Sequence, residues 1–135
     1  MFLLDTNVVS AARKRKGSVA DWLVRQDRQS FFLSVITLGE IARGIEMKRR
    51  NDSDAANHLA TWFHGLRHSY ENRILDIDEK IAAEWGRISA LRTRGDADGL
   101  IAATALVHDL ILVTRNVADF NDTGVTIFNP WESSS

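Results

Sequence analysis

Short apolar runs alternate with amphipathic stretches along this chain. Residues 1–4 form an apolar run that is too short for a helix, and it predicts a buried strand. The other apolar runs of this kind predict four more strands, at 31–35, 73–77, 111–113 and 125–128. Between the strands, apolar residues recur every three or four positions, which is the spacing of a helix that packs on one face.

The first three predicted helices follow from capping residues and charge. The first should run from about Thr6 to Gly17, with the basic residues 13–16 in its last turn, where cations complement the helix dipole. Ser18 is the expected N-cap of the second helix. Thr37 is the expected N-cap of the third, which places Glu40 in its first turn.

Three further helices are predicted in the second half of the chain. One spans 52–68, and Asp78 is the expected cap of the next. The stretch 100–107 is apolar nearly all round, which indicates a helix buried on most faces. Asp98 opens this last helix and is expected to cap it.

Strands that alternate with helices predict an α/β domain with a mainly parallel central sheet of about five strands and helices on both faces. The single proline is Pro130, and no linker divides the chain. We therefore expect one domain over 1–131 and a disordered tail over 132–135. In such folds, ligands bind beyond the carboxyl ends of the strands.

Polar and acidic residues gather where the predicted strands end. Asp5 follows the first strand, Glu40 begins the helix after the second, and Asp98 opens the helix before the fourth. The residues after the fourth strand are polar as well: Thr114, Arg115, Asn116 and Asp119. Carboxylates brought this close repel one another, and a divalent cation relieves the repulsion. Oxygen ligands favour Mg²⁺ or Mn²⁺, and such an ion activates water against a phosphodiester.

Composition narrows the classes of function. The 135 residues carry 17 Lys and Arg against 18 Asp and Glu, so a histone-like basic coat is excluded. The chain has no cysteine, which excludes disulfides, thiolate zinc sites and cysteine nucleophiles. It lacks an apolar run of the roughly 18 residues that span a bilayer, and the opening MFLLDTN is unlike a secretion signal. We therefore expect a cytoplasmic protein that has no association with a membrane.

The basic residues are clustered, although the numbers of basic and acidic residues are nearly equal. The clusters lie at 13–16 and 48–50 and at Arg92 with Arg94. Basic groups around an acidic cleft would attract a polyanion such as RNA.

Four blocks of sequence resemble the PIN-domain ribonucleases of the VapC toxin type. They are FLLDTN at 2–7, SVITLGE at 34–40 with Arg43-Gly44 after it, DGLIAA at 98–103 and LVTRNVADF at 112–120. The closing FNPW at 128–131 is similar to the FitB-like branch. The blocks cover essentially the whole chain in the order of that family.

This resemblance implies a three-layer α/β/α PIN fold and an endoribonuclease that depends on Mg²⁺ or Mn²⁺. Asp5, Glu40 and Asp98 match the three core acids of the family. Asp5 and Asp98 would be direct metal ligands, and Glu40 would bind a metal-bound water or a second ion. Thr114 matches the hydroxyl residue that borders the site.

The resemblance also suggests auxiliary residues and marks one departure. Thr6 and Asn7 belong to the first block. Many PIN domains have an acid where this chain has Asn116, which puts a tightly bound second metal in doubt; Asp119 could supply the missing charge or act as a turn residue. Candidate RNA contacts are Arg13, Lys14, Arg15 and Arg115.

For partners, the resemblance implies a small VapB-type antitoxin that neutralises the toxin, a homodimer, and DNA binding only through the antitoxin. Two other classes stay open. One is a phosphatase that forms an aspartyl phosphate, which also carries an acid after its first strand. Such a phosphatase needs a second acid at the position where this chain has Asn7. It also needs a lysine late in the chain, and no lysine follows Lys80 here. The other is a binding module for nucleic acid without catalysis.

Overall fold

The computed structural model of this chain describes residues 1–132. Its strands are β1 (Phe2–Leu4), β2 (Phe31–Ser34), β3 (Ile74–Leu75), β4 (Ile111–Val113) and β5 (Ile127–Phe128). Its α-helices are α1 (Thr6–Ala12), α2 (Ser18–Val24), α3 (Val35–Arg49), α4 (Ser53–Ser69), α5 (Glu79–Ser89), α6 (Asp96–Val107) and α7 (Val117–Phe120). A 3-10 turn covers Arg28–Ser30. Within the described part of the chain, no helix combines the length and the apolar character needed to span a membrane.

All five strands are parallel, in the order β3-β2-β1-β4-β5. The prediction of a mainly parallel five-stranded sheet is therefore confirmed. The chain winds from β1 through β2 to β3 on one side and then returns to place β4 and β5 on the other. The direction reverses between β1 and β4, and such a reversal opens a crevice at the carboxyl ends of the strands.

Helices cover both faces of the sheet. Leu3 and Leu4 are both buried, but successive side chains of a strand point to opposite faces. Leu4 belongs to a core formed with α1 to α4, in which the Trp22 ring packs 4.9 Å from that of Phe128. Leu3 belongs to a second core formed with α5 and α6. These three layers confirm the expected α/β/α sandwich.

The first helix is shorter than the sequence predicts. It ends at Ala12, so the basic run at 13–16 lies beyond its last turn rather than within it. Arg15 and Gly17 have positive φ angles, of 58° and 99°, which a right-handed helix cannot contain. Gly17 is therefore the N-cap of α2, and Ser18 is its first residue instead of its cap.

The cap of α3 also differs from the prediction. Ser34, the last residue of β2, is the N-cap, and its hydroxyl accepts the Ile36 N–H at 3.0 Å. Because the helix begins directly after the strand, Thr37 is already in the first turn and Glu40 is in the second. The expected cap at Thr37 was therefore wrong by three residues.

The remaining differences lie in the second half of the chain. Asp78 caps α5 as expected, and Asp52, the first residue of the helix predicted over 52–68, is the N-cap of α4. The cap of α6 is Gly95, so Asp98 is the third residue of that helix and not its cap. The strands β3 and β5 are only two residues long, and α7 was not predicted. Of the tail predicted over 132–135, only Glu132 lies within the described residues, and its N–H donates to the Asn129 carbonyl at 3.2 Å.

We expect Ser34→Ala to lower the free energy of unfolding by about 1 kcal/mol, because it removes the side-chain acceptor at the start of α3. The matched control is Ser18→Ala, since Ser18 makes no capping hydrogen bond for α2. Urea denaturation followed by circular dichroism measures both variants. Equal losses of stability in the two variants would contradict the assigned cap.

Candidate active site

Asp5 lies at the carboxyl end of β1, beside the crevice between β1 and β4. Its backbone N–H donates to the Val113 carbonyl of β4 at 2.9 Å, which fixes the residue at the end of the sheet. Only 4% of its surface is exposed. Its Oδ1 accepts the Thr6 N–H at 2.8 Å, and its Oδ2 accepts the Thr114 hydroxyl at 2.7 Å. Asp5 therefore caps α1 as well as facing the crevice.

Thr114 and Asn7 hold the Asp5 carboxylate from the β4 side. The Thr114 hydroxyl is fully buried, and it accepts the Asn116 N–H at 3.1 Å while it donates to Asp5. Asn7 Nδ2 donates to Asp5 Oδ2 at 3.2 Å, and Asn7 Oδ1 accepts the Arg115 N–H at 3.3 Å. The structure thus brings Asp5 and Asn7, which follow β1, together with three residues that follow β4: Thr114, Arg115 and Asn116.

Thr6 connects Asp5 with Glu40. While its N–H donates to Asp5, its hydroxyl donates to Glu40 Oε1 at 2.5 Å. The same hydroxyl lies 3.2 Å from Thr37 Oγ1, and Thr37 is buried in the first turn of α3. One residue therefore contacts two of the three predicted acids, which are 35 positions apart in the sequence.

Asp98 lies in the first turn of α6, on the far side of the crevice. Burial raises its pKa to about 6, and the negative charges of Asp5, Asp119 and Glu40 act in the same direction. The positive charge of Arg94 partly opposes them. Because these charges act on Asp98, the three predicted acids share one electrostatic environment at this edge of the sheet.

Gly99 sets how closely α6 packs on α5. A Cβ atom at Gly99 would lie 3.0 Å from Cδ1 and 3.2 Å from Nε1 of the Trp85 ring, which is too close without a shift of the ring. The hydrogen atom at this position lets the two helices approach, and Asp98 is the preceding residue. Sequence reasoning did not single out Gly99, although a glycine directly after a candidate ligand is a usable signal.

Arg94 is a second residue that sequence reasoning misjudged. Its side chain is 5% exposed, and its guanidinium donates to both carboxylate oxygens of Asp122, at 2.6 and 3.1 Å, and to the Asp119 carbonyl at 2.8 Å. Arg92 donates to the Ala118 carbonyl at 2.8 Å. This pair therefore fixes α7 beside α6, and the buried Arg94 does not contribute to the polyanion-attracting surface that the sequence suggested, whereas Arg92 is exposed.

The electrostatics of Asp5 fit a bound cation. Burial raises the pKa of Asp5 above its ordinary value; the hydrogen bonds from Thr114, Thr6 and Asn7 lower it, and the charge of Glu40 raises it. A carboxylate that is costly to ionise next to other acids is stabilised by a positive ion. Among residues 1–132, no three Asp, Glu or His side chains form a group that would ligate one ion together. Asp5 and Asp98, two carboxylates that burial and neighbouring acids make costly to ionise, fit a hard ion that takes one or two carboxylates and keeps several waters, as Mg²⁺ does.

We expect Thr114→Val to reduce the activity of the site by about tenfold, because the lost hydroxyl donates to Asp5 at 2.7 Å and helps to keep it ionised. The variant keeps the size and burial of the side chain, so the loss should not come from unfolding. The control is Thr123→Val, a buried threonine whose hydroxyl donates to the Phe120 carbonyl away from Asp5. If both variants keep full activity, Thr114 does not support Asp5.

A pocket of about 430 Å³ adjoins the acids, and we call it the basic pocket. Its wall includes Asn7 and Trp131 together with the cations Arg13, Lys14, Lys16 and Arg115. Three of the four predicted RNA contacts are therefore neighbours in space. The fourth, Arg15, is exposed in the turn after α1 and does not line the pocket.

Comparison with known proteins supports this architecture. The family model of the PIN domain matches residues 2–125. The toxin FitB of Neisseria gonorrhoeae is 34% identical over 97% of this chain and 99% of its own length. The VapC ribonuclease Y4jK of Sinorhizobium fredii is 32% identical over 98% of this chain and 99% of its own length. The crystal structure of FitAcB from Neisseria gonorrhoeae superposes with a TM-score of 0.87 and 32% identity, over 98% of this chain and 99% of that one.

The family model covers β1 to β4, α1 to α7 and the residues of the crevice, and the two relatives extend the match over nearly the whole chain. This chain belongs to the PIN-domain family, among the relatives of the VapC and FitB toxins.

Proposed function

We propose that this protein is a metal-dependent endoribonuclease and the toxin of a toxin–antitoxin pair. The observation that carries the proposal is the convergence of Asp5, Glu40 and Asp98 at the carboxyl edge of the sheet, where Thr6 bonds to the first two and their charges raise the pKa of the third. Relatives named as a toxin and as a ribonuclease, matched over nearly the whole chain, support the same activity.

Each acid has a distinct role in this proposal. Asp5 and Asp98 hold Mg²⁺ or Mn²⁺ directly, because both are poorly stabilised as free anions. Glu40, fixed by the Thr6 hydroxyl, orients water beside them. When bound, the ion makes water a better nucleophile and neutralises charge that develops on the phosphodiester. Thr114 and Asn7 keep the Asp5 carboxylate ionised and correctly oriented.

The negative charge of the site favours one tightly held ion. Asn116 brings no charge, and its backbone N–H is committed to the Thr114 hydroxyl. Asp119 contributes charge near Asp98 from α7, and its carbonyl is bound by Arg94. We place Asp119 among the residues that tune the site and not among the direct ligands.

The partners in this proposal are RNA as the substrate, a cognate VapB-type antitoxin and a second copy of the chain. Support for the antitoxin comes from the relatives: one is named a toxin, and a structure of FitAB bound to a DNA fragment superposes at a TM-score of 0.85 with 30% identity. DNA binding is assigned to the antitoxin, because the formal net charge of this chain is −1 and no basic recognition helix is evident in its sequence.

The test is to induce the full chain in cells and to map the RNA ends that accumulate, with the Asp5→Asn chain as the control. New ends that depend on Asp5, and cleavage by the purified chain that stops on adding EDTA, support the proposal. Cleavage that persists in EDTA would contradict the role of the metal. RNA binding without cleavage at any concentration of Mg²⁺ or Mn²⁺ would favour the binding module instead.

A further inference from the structure

The basic pocket has the charge of a site for a polyanion. Four cations line it, and none of its lining residues is acidic. Arg13, Lys14 and Lys16 come from the turn after α1, where the positive φ of Arg15 and Gly17 bends the chain back toward the sheet. Since phosphate groups supply most of the affinity in nucleic-acid complexes, this arrangement suits the backbone of a nucleic acid.

The pocket also contains a flat surface. The guanidinium of Arg115 lies 5.1 Å from the centre of the Trp131 ring, and both residues line the pocket. The ring is partly buried, and the Trp131 backbone N–H donates to Asn129 Oδ1 at 2.9 Å, which holds the backbone of Trp131 close to the end of β5. Guanidinium planes and aromatic rings are the groups on which unpaired RNA bases stack.

The Asn7 side chain connects the pocket with Asp5. Asn7 lines the pocket, donates to Asp5 Oδ2 at 3.2 Å, and accepts the backbone N–H of Arg115 at 3.3 Å. A nucleotide strand that passes Asp5 therefore meets the pocket next. An acidic peptide would use the cations but not the flat Arg115–Trp131 surface, and paired bases in a duplex cannot reach it.

We propose that the basic pocket binds one nucleotide of a single-stranded RNA adjacent to the bond that is cut. The base stacks on the Arg115–Trp131 pair, and the neighbouring phosphates lie against Arg13, Lys14 and Lys16. This inference rests on the proposed function, because it assigns a substrate position to the same site.

The experiment measures binding of a fluorescein-labelled ten-nucleotide oligoadenylate, and of an abasic oligomer of the same length, by fluorescence anisotropy. All variants are made in the full-length Asp98→Asn chain in Mg²⁺ buffer, so that the probe stays intact. Arg115→Lys keeps the charge and removes the planar group. We expect it to bind oligoadenylate about tenfold more weakly and to lose the preference for oligoadenylate over the abasic probe.

The cations are tested through the salt dependence of binding. Lys16→Ala should reduce the slope of log Kd against log salt by about 0.7, the value for one phosphate contact of a single strand, whereas Arg115→Lys leaves the slope unchanged. The matched control is Lys80→Ala, which removes an exposed cation from the first turn of α5, outside the pocket and outside the predicted basic clusters. It should change neither the affinity nor the slope.

The outcomes separate this inference from the proposed function. If the wild-type chain cleaves RNA but Arg115→Lys and Trp131→Ala bind both probes as the parent does, the subsite is wrong and the nuclease stands. If the wild-type chain cleaves nothing while Arg115→Lys loses the base preference, stacking in the basic pocket stands, but the nuclease and the position of the pocket beside a cleaved bond are wrong. Competition for the pocket by an oligoglutamate peptide, with no binding of RNA, would overturn the inference in favour of a protein ligand.

Discussion

Asp98→Asn and Asp5→Asn should each lower RNA cleavage by at least about 1,000-fold. Both residues are proposed to hold the metal ion, and an ion that stabilises charge in the transition state contributes several kcal/mol. An amide keeps the shape of the side chain but removes the charge that attracts the ion. The measurement is the rate of cleavage of a labelled RNA at saturating Mg²⁺, with circular dichroism to confirm that each variant is folded.

Asp96→Asn is the matched control for this loss. Asp96 lies in the same first turn of α6 and loses the same charge, but it is exposed and matches none of the core acids. It should cleave within about twofold of the wild type, since a surface charge away from the reaction contributes little. Equal losses in Asp96→Asn and Asp98→Asn would mean that general charge, and not ligation, explains the effect. Full activity of Asp98→Asn would remove Asp98 from the site.

The same Asp98→Asn variant should be more stable than the wild type at neutral pH when metal is absent. The pKa of Asp98 is about 6 in the folded protein, against 3.8 for an unperturbed Asp. The folded protein therefore binds more protons than the unfolded chain between these two values, and it loses stability as the pH rises through that window. Below the lower value the carboxyl is neutral in both states, so wild type and variant should differ little there.

The expected gain is about 1 to 2 kcal/mol in the free energy of unfolding at about pH 7.5, because solvent screens much of the full effect of the pKa shift on this half-buried side chain. Urea denaturation in EDTA at about pH 4 and about pH 7.5 measures it, with Asp96→Asn as the control. Adding Mg²⁺ should stabilise the wild type and leave Asp98→Asn unchanged. A variant that is less stable than the wild type at both pH values would show that Asp98 supports the fold instead of straining it.

Local patterns in the sequence were sufficient for the strands and for most helices. The runs at β1, β2 and β4 are apolar and short, and the capping aspartates Asp52 and Asp78 lie where the helical spacing begins. Such features depend on neighbours in the sequence. The edge strands β3 and β5 are shorter than predicted. Each pairs with one neighbouring strand, and the extent of that pairing sets the length of the strand, which the apolar pattern of the sequence does not show.

The cap of α3 was missed because Ser34 is both the end of a strand and the start of a helix. Because its neighbours are apolar, Ser34 was assigned to a predicted strand and was not considered as the N-cap of the helix. The turn at 13–17 was missed for a similar reason. The run of cations there is typical of a helix terminus, and only the backbone angles show that the helix has already ended.

The sequence predicted which residues belong to the candidate site but not the contacts between them. The family blocks identified Asp5, Glu40 and Asp98, whereas the Thr6–Glu40 bond joins residues 34 apart and the Arg94–Asp122 pair joins residues 28 apart. No local pattern encodes either contact. Arg94 was grouped with surface cations because a sequence alone does not show that a guanidinium is buried.

The close approach at Gly99 has a consequence for how this protein tolerates substitution. A side chain there would bring a Cβ atom to 3.0 Å from the indole of Trp85, so the ring or the helix that carries Asp98 would have to shift by a few tenths of an ångström. In a saturation library selected for the proposed activity, substitutions at position 99 should be depleted, as those at the three proposed acidic positions should be. The boundary of the essential residues in this fold is therefore set by the packing of two helices as well as by the chemistry of the crevice.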